Sequence, residues 1–115
     1  MRFTTTSERG SIARVRFVFA DEQGAKRRPV LVLSSEEYRA GCQEVVVAAI
    51  TSNVTRLLPG DIELDEWQRA GLPKPSVVTG ILRTIKGGMI ERTMGRIRAR
   101  DLRAYEDRLR RMLML

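Results

Sequence analysis

The chain has 115 residues, 43% of them hydrophobic, which is enough for one buried core and short for two domains. It carries 21 Lys and Arg against 14 Asp and Glu, a net charge of +7, and 18 of the cations are arginine, suited to two-point contact with phosphate. Histidine is absent and the only cysteine is Cys42, which excludes histidine acid–base or metal chemistry and an internal disulfide. Nucleic acid is therefore the first candidate partner and an acidic protein the second. The chain has no phosphate-binding P-loop, dinucleotide fingerprint, C-x-x-C or H-E-x-x-H motif. It also has no apolar run of signal-peptide or membrane-span length. The expectation is a single domain over residues 1–115, cytoplasmic, without cofactor, metal or membrane contact.

Residues 1–9 are polar and are expected to be loosely ordered. From Ile12 to Phe19 the apolar positions alternate with Arg14 and Arg16, which predicts a strand with a basic outer face. A loop over Ala20–Arg28 leads to the apolar run PVLVLS, a strand that Pro29 is expected to start, since proline has no N–H for the ladder. SEEYRAG reads as a turn or short helix, and Glu44–Ser52 as the most β-prone strand of the chain. DIELD is a short fourth strand. EWQRAGLPKP is a connector, and Ser76–Ile85 is a fifth strand in which Gly80 marks a bulge or a close approach. KGG turns the chain into a last strand within MIERTMGRI. From Arg100 the period lengthens: Leu102, Tyr105, Leu109 and Met112 share one helical face, and Glu106–Arg110 and Asp107–Arg111 are spaced as i,i+4 ion pairs. Short strands without crossover helices, then one helix, predict a small, mainly β barrel of α+β type with a C-terminal helix.

Three constellations could carry chemistry. Lys26, Arg27 and Arg28 stop abruptly at Pro29, which would fix Arg28 at a rigid strand end while Lys26 swings on the loop. The plain alternative is a solvated loop. ITSN, Ile50–Asn53, closes the third strand, and antiparallel pairing would bring Thr51 to the same rim as Arg28. Ordinary strand-end capping is its plain alternative. Arg83 and Thr84 lie on the fifth strand, where an exposed cross-strand pair would also explain them. Six aromatic residues, three of them in or before the first strand, do not suit a base-stacking platform.

GAKRRPVLVLS, VVVAAITS, GDIELDEWQRAGLPKPSVV and RTIKGGMIERTMGRI, in that order, resemble the MazF/PemK family of toxins over residues 10–109. The resemblance implies an SH3-like barrel with a C-terminal helix. It implies a homodimer, a cognate acidic antitoxin that binds DNA together with the toxin, and metal-independent cleavage of single-stranded RNA. It places the catalytic pair at Arg28 and Thr51. RNA contacts would come from Glu22, Gln23, Lys26, Arg27, Ser52, Asn53, Arg83 and Thr84, with Glu22 also a candidate base. Ser11 and Lys86 stand where the family has aspartate. CcdB-type toxins share the fold but bind DNA gyrase, a function with no need of Arg28 or Thr51.

Overall fold

The computed structural model describes residues 8–18, 25–55 and 57–115. Six strands form one antiparallel sheet: β1 (Ser11–Val18), β2 (Ala25–Val32), β3 (Glu44–Thr51), β4 (Ile62–Glu63), β5 (Val77–Lys86) and β6 (Ile90–Arg96). A short helix, α1 (Glu36–Cys42), bridges β2 and β3, and α2 (Ala99–Leu113) follows β6. The strand order is β4-β5-β3-β2-β1-β6.

That order forces the sheet to curl. β5 and β6 are separated by three intervening strands, which in a flat sheet means four spacings, or roughly 19 Å. Yet only the 3₁₀ turn Gly87–Met89 joins them, and four Cα steps span at most about 14 Å. The sheet therefore rolls until Ile85 of β5 and Ile90 of β6 enter one buried cluster. Register shifts at Ile12/Ala13, Arg14/Val15 and Ala48/Ile50 supply the local bends. The expected barrel is thus realised as a curled sheet: among the described residues no ladder joins its two end strands, β4 and β6.

Strand alternation divides the core in two. One cluster, including Ile12, Leu31, Ala48, Ile50 and Val78, is covered by α2 through the fully buried Tyr105, with Leu102 and Leu109 packed beside it. The other lies on the opposite face and contains Ala13, Val15, Val30, Val32, Val45 and Val47. Between two apolar layers β1 and β2 have no polar face over their buried parts, which is why PVLVLS reads as a continuous apolar run. Asp101, in the first turn of α2, is also buried, and it accepts from the backbone N–H groups of Asp65 (3.2 Å) and Glu66 (3.0 Å). This ties the connector to the helix. Gly71 and Gly95 meet back to back, since a Cβ on Gly95 would lie 2.1 Å from the Ala70 carbonyl oxygen.

Pro29 does not start β2; it lies inside it, opposite Arg14. β3 pairs with β2 only from Val30 onward, so residues 25–29 have one neighbouring strand. A proline is tolerated there because the stretch is locally an edge. Lys26 and Arg27 are consequently strand residues, not loop residues, set opposite Phe17 and Arg16. The i,i+4 pairs expected on α2 are also replaced. Glu106 bonds Arg9, and Asp107 meets Arg110 at 3.5 Å. Gly80 sits in the bulged stretch of β5, where an added Cβ would lie 2.8 Å from the Met112 sulfur. The family departures fall at two ordinary places: Ser11 is buried at the head of β1, and Lys86 faces Glu44 across the β3–β5 ladder.

Candidate functional site

Three adjacent strands, β2, β3 and β5, build an open cavity of about 680 Å³ on the sheet face away from α2. The ladder pairs Val30 with Ala49 and Val47 with Arg83. Alternation then places Arg28 and Val30 of β2, Val47, Ala49 and Thr51 of β3, and Ile81 and Arg83 of β5 on one face, and all of them line the cavity. The β2–β3 ladder ends at Val30–Ala49, and Arg28 and Thr51, each two residues beyond that pair, both line the cavity. The floor is apolar, and the rim carries guanidinium, hydroxyl and amide groups.

The three cations before Pro29 have different settings. The Arg27 side chain, on the opposite face, donates from Nε to Glu91 of β6 at 2.8 Å. Lys26 shares the face of Arg28 and is exposed, but it does not line the cavity. Arg28 is exposed at the cavity lip, and among the described residues it has no hydrogen-bond or ion-pair partner. A free, strand-anchored guanidinium is what a phosphate-binding site requires.

Thr51 is half-buried, and its Oγ1 accepts the Asn53 N–H at 3.1 Å. That bond fixes the hydroxyl oxygen and leaves its proton to be donated elsewhere. Ser52 is exposed and does not line the cavity, whereas Asn53 does. Thr84 pairs with Val46 and so lies on the face opposite Arg83. The structure therefore brings Arg28, Thr51, Asn53 and Arg83 together and leaves Lys26, Arg27, Ser52 and Thr84 outside the cavity lining. Glu22 and Gln23 lie outside the described residues.

Several cavity residues were not singled out by the sequence reading: Thr55, Leu58, Asp61, Thr79 and Ile81. Asp61 is buried, and both its oxygens are occupied, accepting Leu58 N–H (2.9 Å) and Gly80 N–H (3.2 Å). It shapes the rim and has no free oxygen pointing to catalysis. The Thr79 hydroxyl is likewise consumed, bonding the Ala49 carbonyl at 2.7 Å. Pro59-Gly60-Asp61 is a turn sequence, but nothing local to it places Asp61 at the cavity that Thr51 lines. Among the described residues no three His, Cys, Asp or Glu side chains converge on a metal site.

Fold and site together define a small curled-sheet protein whose cavity, apolar below and arginine-rimmed above, suits a polyanion with bases attached. The chain belongs to the family of PemK-like, MazF-like toxins of type II toxin–antitoxin systems, whose model matches residues 8–113. It is 35% identical over 112 residues to the endoribonuclease MazF6 of Mycobacterium tuberculosis, covering 89% of this chain and 96% of that one. The endoribonuclease MazF2 of Mycobacterium bovis matches with the same figures. Among solved structures, the M. tuberculosis toxin MazF-mt6 superposes with a TM-score of 0.74 at 30% identity, over 91% of this chain and 97% of that one. A MazE–MazF structure from Deinococcus radiodurans reaches 0.78 at 20% identity, over 94% and 96% of the two chains, a likeness of fold.

Proposed function

We propose that this chain is a sequence-specific endoribonuclease that cuts single-stranded RNA without metal, as the toxin of a toxin–antitoxin pair. The observation that carries the reading is the meeting of an unpartnered Arg28 and an oriented Thr51 hydroxyl at one cavity lip. In the proposed reaction the RNA 2′-oxygen bonds the adjacent phosphorus and gives up its proton. The 5′-oxygen leaves and takes a proton. Negative charge grows on the non-bridging oxygens, where Arg28 supplies aligned N–H donors and Thr51 an O–H. One such positioned donor is typically worth about 3–4 kcal/mol, or roughly 10²–10³ in rate. Glu22 is the candidate base. The apolar floor of Val30, Val47 and Ala49 takes ribose and base, and Arg83 on the far strand contacts a second phosphate.

Exposed apolar side chains at the cavity edge, Leu58 and Ile81 in its lining and Leu57 next in sequence, support a homodimer in which a second copy borders the cavity and leaves it open to RNA. The family's toxin–antitoxin character supports an acidic antitoxin as the regulating partner. Among the described residues no helix is long and apolar enough to cross a membrane, in keeping with a cytoplasmic setting. A gyrase-binding role of CcdB type is not favoured, because the relatives matched at 35% identity are named endoribonucleases.

The test is cleavage in chelator. Purified protein is expected to cut single-stranded RNA in EDTA and to spare a fully paired duplex. Activity lost with EDTA and restored by Mg²⁺ would overturn the metal-free mechanism.

A further inference from the structure

The strand end after Thr51 holds a hydrogen-bond chain that the cleavage chemistry does not use. Asn53 Oδ1 accepts twice from Thr55, from the backbone N–H at 3.2 Å and from the hydroxyl at 2.7 Å. A backbone N–H can only donate, so the atom facing it must be the amide oxygen, and the orientation of the amide is fixed by chemistry. Both lone pairs of Oδ1 are thereby occupied. The amide NH₂ is turned away from Thr55, and among the described residues it has no partner. Asn53 and Thr55 both line the cavity, two and four residues beyond Thr51.

We propose that Asn53 reads one base of the RNA substrate, and that Thr55 is the positioning residue that makes this reading one-sided. The inference rests on the endoribonuclease reading above and names a specificity determinant within it. A free asparagine amide offers a donor and an acceptor side by side and can pair with either kind of base edge. Here the acceptor is engaged by Thr55, which leaves the NH₂ donors as the open group of this cavity-lining amide. A donor alone favours a base that places a carbonyl at that point, as uracil does with O4 and guanine with O6. Cytosine and adenine place an amino group there and would set donor against donor. The rule is therefore keto over amino at one nucleotide next to the scissile phosphate. The site discriminates because a mismatched donor stays desolvated and unpaired.

A randomised single-stranded RNA pool, sequenced at its cut ends, tests this with wild type, Asn53→Asp, Thr55→Val and Thr55→Ser. Wild type is expected to prefer U or G over C or A by about tenfold or more at one position. Asn53→Asp replaces the donor with an acceptor and should invert the preference at that position towards C or A. Thr55→Val removes the hydroxyl bond and should flatten the preference several-fold there, with the other positions unchanged, while Thr55→Ser should restore it. The preference is a ratio, so a general rate penalty from the new carboxylate does not affect it. If wild type cuts RNA but Asn53→Asp keeps the wild-type profile, or Thr55→Val lowers cleavage of all sequences alike, this proposal is overturned alone. If wild type cuts no RNA, the endoribonuclease reading falls and takes this one with it.

Discussion

Arg27 and Arg28 are chemically identical neighbours, and strand alternation gives them opposite surroundings. Arg27 is held by Glu91, and Arg28, among the described residues, is left free at the lip of the cavity that Thr51 also lines. Charge alone does not distinguish the two residues; strand parity does. Arg28→Ala is expected to lower single-turnover cleavage by roughly 10²–10³. Arg28→Lys keeps the charge but loses the planar fork, so it should fall nearly as far. Arg27→Ala should leave the chemical step close to wild type, since its side chain points to the other face and an exposed ion pair contributes only about 0.2–1 kcal/mol. Lys26→Ala, on the Arg28 face but outside the cavity lining, should weaken RNA binding more than it slows cleavage. Single-turnover rates on one short RNA separate these outcomes, and near-normal cleavage by Arg28→Lys would show that the site needs only a point charge.

At the scale of elements, α2 holds its sheet face through Tyr105, whose hydroxyl donates to the Thr79 carbonyl at 2.9 Å from a fully buried position. Burial first, and the Asp61 carboxylate second, push its pKa up to about 12 from an ordinary 10.0. Between those values the folded chain keeps a proton that the unfolded chain releases. The stabilisation is therefore whole below about pH 10 and is lost as pH climbs towards 12. Urea unfolding midpoints from pH 9 to 11.5 should fall more steeply for wild type than for Tyr105→Phe. At neutral pH the Phe variant should itself be weaker by about 1 kcal/mol, because the Thr79 carbonyl loses its donor. Parallel pH profiles for the two proteins would remove this account of the helix anchor. The same elements show how far the sequence could be read. The helix was legible because Leu102, Tyr105 and Leu109 repeat at its period, and β3 because its valines are β-branched and contiguous. The start of β2 was not, because proline breaks a ladder only where a second strand is paired, and the β2–β3 ladder stops short of Pro29. Which side Thr84 faces depended on a register that no local pattern specifies. The cavity contributions of Thr55, Asp61 and Thr79 were hidden for the same reason: they depend on the bulge opposite Ala49 and on the turn before β4.

For the whole molecule, a net charge of +7 and a rim formed by Arg28 and Arg83 would let one face serve both of the proposed ligands, RNA and antitoxin. A surface that draws in an RNA backbone must also draw in any other flexible polyanion of similar spacing. An acidic antitoxin segment that orders on binding meets that description, and its ordering cost can be offset by the same arginines proposed to hold phosphate. Inhibition is then expected to be competitive at the cavity, not transmitted from a distance. Two measurements check this. The logarithm of RNA affinity should fall linearly with the logarithm of salt concentration, by about 0.7 for each phosphate neutralised, and the slope should shrink in Arg83→Ala. Antitoxin affinity should show its own steep salt dependence and weaken in the same variant, because both ligands use the same charge. A short acidic antitoxin peptide titrated against labelled RNA on the slow-cleaving Arg28→Ala protein should displace the RNA completely. RNA that stays bound at saturating peptide, even with cleavage by the wild type suppressed, would mean that the antitoxin acts at another surface and that the shared-charge explanation is wrong.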